Sequence, residues 1–302
     1  MNKKIALSGI SILTALTLVG AGAFAFFSDT ETSTGNILAA GELDLKIDNT
    51  CYYNGQACTN GFWGRTPNAT PSANATNTCS CTWRPKDLGR GDVFFNFRDL
   101  KPGDWEEDTI SLEVDNPAWV CLDIKTTADD DVTCTEPEKE DDLTCSEPGL
   151  GQGELADELN FVFWRDDGDN VFEIHEEEGI ITRGLASEVL GNTRWALADS
   201  STSDGPIPAG ETVYIGKFFC YGDITEAPVA EGVNPTVASG FECDGEPVNN
   251  ASQTDLLAGD IVFYAEQARH NDDFLCNPPE PTVTPTPSPT PTPTPTVGPL
   301  GG

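Results

Sequence analysis

Apolar and polar residues alternate with a period of two through much of the chain. Leu43, Leu45 and Ile47 interleave with Asp44, Lys46 and Asp48, which predicts a half-buried strand over residues 42–48. Val93, Phe94, Phe95 and Phe97 predict another over 92–97. Leu100-Lys101-Pro102-Gly103-Asp104 reads as a turn, because Pro presets φ and Gly accepts a positive one. Ile110, Leu112 and Val114 alternate with Ser111, Glu113 and Asp115; Asn116-Pro117 turns the chain, and 119–125 alternates again. These two segments are expected to be neighbouring antiparallel strands. Segments 159–165, 212–221 and 257–267 supply three more. Turn signals recur at short intervals and a 3.6-residue period is almost absent. The expected fold class is all-β, an antiparallel β-sandwich.

Two long stretches interrupt the alternation. Residues 51–91 are rich in Asn, Thr, Gly and Pro, and 127–158 are acidic around EPEKEDDLTCSEPG. Both read as loop insertions (about 50–91 and 127–158), the second on the surface with a short helix near 154–159. Ten cysteines pin this framework: Cys51, Cys58, Cys79, Cys81, Cys121, Cys134, Cys145, Cys220, Cys243 and Cys276. An even count in an exported chain allows five bridges. Cys134 with Cys145 and Cys220 with Cys243 are the nearest-neighbour pairings, while Cys79 and Cys81 are too close to join each other easily.

The first 25 residues have the three parts of a signal peptide. Lys3 and Lys4 precede a charge-free apolar run, and Ala23-Phe24-Ala25 places small residues where a signal peptidase reads them. Cleavage after Ala25 leaves a chain starting Phe26-Phe27-Ser28-Asp29-Thr30; the alternative is an uncleaved membrane anchor, since roughly 20 apolar residues span a bilayer. Residues 26–277 are expected to hold the sandwich. Residues 278–302 form a Pro/Thr tail, expected to be disordered and extended in the manner of polyproline, as a spacer.

The junction FFSDTET, followed by Thr34-Gly35-Asn36 and Gly41-Glu42-Leu43-Asp44-Leu45, resembles the TasA/camelysin family of exported bacterial proteins, with their dedicated SipW-type signal peptide. The resemblance returns at LKPGD (100–104), DNPAWV (115–120) and FYAEQARHN (263–271). It implies a jelly-roll arrangement of the sandwich and a secreted structural role, in the biofilm matrix or on the cell surface. Strand donation between copies is a physical route to fibres: a sheet edge accepts an extended segment from a neighbour. The segment from Phe26 and Phe27 through Ser28, Asp29 and Thr30 is the candidate donor. The partners expected are copies of the same chain and other matrix or wall components, with membrane contact only through the signal segment.

Charge narrows the remaining choices. Fifty acidic residues face 16 basic ones, a formal −34, so nucleic acid and anionic lipid are poor partners. The sharpest local cluster is Asp166, Asp167, Asp169, Asn170, Glu173 and Glu176 around Gly168. Hard oxygens crowded on a Gly-centred turn suit calcium, which takes about 6–8 of them, although the spacing departs from an EF-hand; the alternative is an acidic turn. Zinc chemistry has little anchor: there is no C-x-x-C pair, and His175 is followed four residues later by Gly179 rather than His. No catalytic residue is assigned, and a non-enzymatic role is expected. Two alternatives stand beside the fibre subunit: a monomeric calcium-stabilised surface module on a Pro/Thr stalk, and a camelysin-like metalloendopeptidase. Three Asn-x-Ser/Thr sequons, at Asn68, Asn74 and Asn250, are given no role.

Overall fold

The computed structural model describes residues 28–31, 43–64, 78–191 and 193–278. The signal segment with Ala23 and Ala25, the residues Phe26 and Phe27, the first two sequons and the Pro/Thr tail from 279 on lie outside them.

Two antiparallel sheets carry the fold. The smaller has the order β1 (Ser28–Glu31), β14 (Leu256–Gln267), β7 (Ala118–Asp130), β10 (Thr193–Ala198). The larger runs β4 (Phe62–Trp63), β3 (Gln56–Thr59), β2 (Leu45–Tyr53), β6 (Trp105–Val114), β11 (Thr212–Tyr221), β8 (Leu159–Asp166), β9 (Ile180–Leu185), with β5 (Trp83–Lys86) also on β2. A separate ribbon pairs β12 (Asp223–Glu226) with β13 (Phe241–Asp244). Among the described residues every pairing between these strands is antiparallel.

The alternating positions do what their spacing requires. Leu45 and Ile47 of β2, Ile110, Leu112 and Val114 of β6, and Phe161 and Phe163 of β8 are buried in one cluster. Val120, Leu122 and Ile124 of β7 and Ile261, Phe263 and Ala265 of β14 join it from the other sheet. Both sheets turn an apolar face inward, which makes the molecule a sandwich.

Two of the expected strand assignments fail. Segments 109–115 and 119–125 are not partners: β6 lies between β2 and β11, whereas β7 lies between β14 and β10. The Asn116-Pro117 corner carries the chain from one sheet to the other, and alternation reports a buried face without saying which strand lies beside it. Residues 92–97 form no strand. Phe94 instead fills the core edge-on to Trp83 and Phe263, and Phe97 packs on Tyr53, Trp63 and Phe219, so the segment is a strap whose aromatic rings plug the sandwich.

All five disulfides form: Cys51–Cys81, Cys58–Cys79, Cys121–Cys276, Cys134–Cys145 and Cys220–Cys243. The first two close the 51–91 insertion over β2 and β3. Within the main core lies a charged group: Lys217 of β11 is fully buried, ion-paired to Glu106 and, at 2.9 Å, to Asp108. Its ammonium also sits 5.5 Å from the Phe95 ring and 5.6 Å from that of Phe219. Burial opposes the Lys217 charge, but Asp108 and Glu106 outweigh it and raise the lysine.

Candidate cation site and assembly edge

The outer face of the larger sheet, away from the core, carries a second apolar cluster of Val162, Trp164, Phe172, Phe218 and Phe241. Beside it, β8 ends at Asp166 and the chain loops over β6. Gly168 takes φ +107°, and a side chain there would meet the Tyr214 ring at 3.0 Å. Asn170 takes φ +68°, a conformation Asn tolerates better than most residues. The Thr109 hydroxyl lies 2.7 Å from Asp166 Oδ2 and 2.9 Å from Asn170 Oδ1, which ties the loop to β6.

The six predicted residues share this loop but divide into three roles. Glu176 caps the 3₁₀ turn Ile174–Gly179. Its Oε2 accepts from the Glu173 amide at 3.0 Å, and its Oε1 from the Asp167 amide at 2.9 Å. Asp167, Glu173 and His175 form an outer group: His175 Nδ1 is 3.5 Å from Glu173 Oε2, and Nε2 is 3.9 Å from Asp167 Oδ2. Glu173 Oε1 is taken by the Gly232 amide at 3.0 Å. Asp166, Asp169 and Asn170 form an inner group.

A residue without a signal in the loop itself lies near the inner group, close enough to be repelled by Asp166 and Asp169. Glu107 of β6 is fully buried, and neither of its carboxylate oxygens has a hydrogen-bond partner. Asp166 Oδ1 and Asp169 Oδ1 are likewise buried without a hydrogen-bond partner, and Glu173 Oε2 has only the His175 contact at 3.5 Å. Burial pushes Glu107 well above the usual carboxylate range, with Asp166, Glu106, Asp108 and Asp169 adding repulsion. Burial, then Asp169 and Asp167, push Asp166 up to about 7. Burial, then Glu173 and Asp167, push Asp169 up to about 6. Burial pushes Glu176 up to about 8, with Asp166 and Asp167 adding to it. Acids that crowd one another with spare oxygens favour a hard divalent cation, which removes the repulsion and coordinates those oxygens. The available signal was the run Glu106-Glu107-Asp108 leading into the apolar positions of β6. Three consecutive acids at the start of a buried strand put at least one on each face.

The second feature is a sheet edge. β14 pairs with β7 along its whole length, from Leu256 opposite Asp130 to Gln267 opposite Ala118. On its other side β1 covers only the last part, Ser28 opposite Glu266 through Glu31 opposite Phe263. Among the described residues no strand pairs with that side of β14 from Leu256 to Val262. Ser28, Asp29 and Thr30 of the predicted donor segment thus lie on the edge of their own sandwich. The register irregularity at Ala258/Gly259 interrupts the uncovered stretch, a feature that natural edges use to limit pairing.

The histidines do not form a zincin pair. His175 sits in the 3₁₀ turn with Gly179 four residues on, and His270 follows β14 with φ +64°. Asn250 of the third sequon donates through Nδ2 to Asp141 at 3.0 Å, a structural contact.

The model of one protein family, described as camelysin metallo-endopeptidase, matches residues 1–59, which end with β3. No curated protein and no solved structure matches the chain. The matched residues contain neither histidine.

Proposed function

Taking residues 1–59 as those of a camelysin-family protein, we propose that the chain is an exported structural subunit of a cell-surface or biofilm matrix. It assembles into fibres by exchanging its N-terminal strand. The observation that carries the reading is β1: a short strand held by one neighbour, on an edge where, among the described residues, no strand pairs past it. Backbone pairing on β14 is the same whether the strand comes from its own chain or from the next one, so exchange preserves every ladder bond. Residues 32–42 join β1 to the sandwich. Extended, these residues would span about 37 Å, enough to reach an adjacent domain. Head-to-tail donation of this kind is heterologous and extends into a filament wherever its rotation does not close a ring. Five disulfides and the family match fit an oxidising, exported setting.

Negative-stain microscopy of the chain from Phe26 beside one from Gly41 tests this, each with and without calcium. Fibres from the longer chain alone are expected. Fibres from both would place the interface elsewhere, and folded monomers throughout would leave a monomeric surface module as the account.

The outer-face acids favour a structural calcium ion in either case. Glu107, Asp166 and Asp169, with Asn170, would hold it, and its chemistry is charge neutralisation of the loop against β6. The family description also raises peptidase activity. That reading would rest on Asp167, Glu173 and His175, which can share one metal ion, and it predicts casein cleavage lost in His175→Ala. We read the chain as non-enzymatic, because one histidine with two carboxylates lacks the two-histidine helix of a zincin.

A further inference from the structure

The acidic insertion after β7 is packed inside out. Leu143 is 98% exposed and Leu150 86%, while Asp131, Glu138 and Asp142 are 2%, 0% and 7% exposed. Ordinary solvation would put the leucines in and the acids out. The insertion also docks on a second segment: Thr135 Oγ1 donates to Gln253 at 2.8 Å, and Asn250 reaches Asp141 through both N and Nδ2 at 3.0 Å. The Cys134–Cys145 bridge closes the loop at its base.

These three buried acids and the half-buried Glu154 and Asp255 are arranged in a particular way. Glu138 turns Oε2 to the Thr135 amide at 2.9 Å, and Asp142 turns Oδ1 to the Thr144 amide at 2.7 Å and its hydroxyl at 2.8 Å. Glu154 turns Oε1 to Thr144 Oγ1 at 3.3 Å, and Asp255 turns Oδ2 to the Glu154 and Leu155 amides at 2.7 and 3.0 Å. Each of the four therefore has one oxygen fixed from behind. The other oxygen, Glu138 Oε1, Asp142 Oδ2, Glu154 Oε2 or Asp255 Oδ1, is buried without a partner, as are both oxygens of Asp131. Ligand atoms of Asp131, Glu138 and Asp255 all lie within 4.8 Å of one another. Among the described residues no lysine, arginine or histidine forms an ion pair with any of the five. One oxygen oriented by amides and hydroxyls and one left free is how protein carboxylates are held around a metal.

We propose that Asp131, Glu138, Asp142, Glu154 and Asp255 form a calcium site that clamps the acidic insertion onto the segment entering β14. The donor set is all oxygen, and Cys145 beside it is committed to a disulfide, so a soft metal has no ligand to prefer. Five carboxylates supply most of the six to eight oxygens that calcium takes, and their flexible loop setting suits calcium better than the strict octahedron of magnesium. The site is separate from the outer-face acids of Glu107 and Asp166. It joins the end of β7 to the start of β14, opposite the stretch of β14 that β1 covers.

Hydrogen exchange on the disulfide-intact chain from Phe26, in chelator and then in calcium chloride, decides the matter by location. Calcium is expected to slow exchange at the amides of 138–144 and 154–155 by about tenfold or more. Glu138→Gln is expected to abolish that slowing and to remove one bound calcium from a calorimetric titration. Asp166→Asn, which touches only the other cluster, is expected to leave the slowing in the insertion intact. Unchanged exchange in the insertion at saturating calcium overturns the proposal, whatever happens at residues 107 and 166–176. If Glu138→Gln fails to fold, the wild-type comparison alone still gives one result or the other. Slowing confined to 166–176 would support the outer-face ion and refute this site.

Discussion

Replacing Asp166 by Asn should change the sign of its effect with calcium. The Asn side chain keeps an oxygen for the Thr109 hydroxyl, now 2.7 Å from Asp166 Oδ2, and removes one charge from the crowded inner group. Asp166 is buried and rises from its ordinary 3.8 to about 7. At about 1.4 kcal/mol for each tenfold change, that rise is on the order of 4 kcal/mol of destabilisation when the carboxylate is forced to ionise in the fold. The folded state binds the proton more tightly than the unfolded state, so without calcium this stability is present below pH 3.8 and is lost as pH rises through about 7. In chelator, Asp166→Asn should therefore be more stable than the parent at pH 8, by up to about 4 kcal/mol or about 8–16 °C in Tm for a chain of this size. At pH 5 the gain should shrink, because the parent then keeps most of its proton. In calcium the order should reverse, since the variant loses a charged ligand. Urea unfolding with disulfides intact, at the two pH values and with and without calcium, measures all four cases. Destabilisation of equal size in all four would refute both the crowding and the cation reading.

Lys217→Met should cost about 3–5 kcal/mol, because it leaves Glu106 and Asp108 buried without their cation; a change in denaturation free energy below about 1 kcal/mol would mean that the two acids take up protons at little cost. Removing Cys121–Cys276 as a double Ala variant should lower stability by about 5 kcal/mol and removing Cys134–Cys145 by about 3, since the first closes a loop of 155 residues and the second one of 11. Urea midpoints in that order are expected, and a larger loss from the shorter loop would contradict the loop-entropy account.

The sandwich was legible where a strand buries one face and wets the other. Leu45 and Ile47, or Leu122 and Ile124, announce themselves by alternation alone. Partnership was not legible, because β6 and β7 have the same pattern yet lie in different sheets, and nothing local at Asn116-Pro117 distinguishes a hairpin from a change of sheet. Phe94 and Phe97 have the composition of a strand but are held by packing against Trp83, Tyr53 and Phe263, which only the assembled core supplies. β9 and β10 escaped notice because IITRGL and TRWALA are short and interrupted by polar residues. The acid loop at 166–176 was visible as a cluster, but Glu107 is about 60 residues away and comes into place only through the register of β6, β11 and β8. The acids of 131–158 read as a solvated run, since a charge run gives no sign of which side chains the fold will bury.

The Cys121–Cys276 bridge sets how the molecule would bear tension. A pull applied through the Pro/Thr segment enters the domain at Cys276 and passes directly to Cys121, near the start of β7. β14 therefore cannot be peeled from its end, and the chain between the two sulfurs, a sequence separation of 155, is withheld from extension, about 530 Å of contour length. Only chain before Cys121 can pay out under load. A domain wired in this way would transmit force as a short, stiff link.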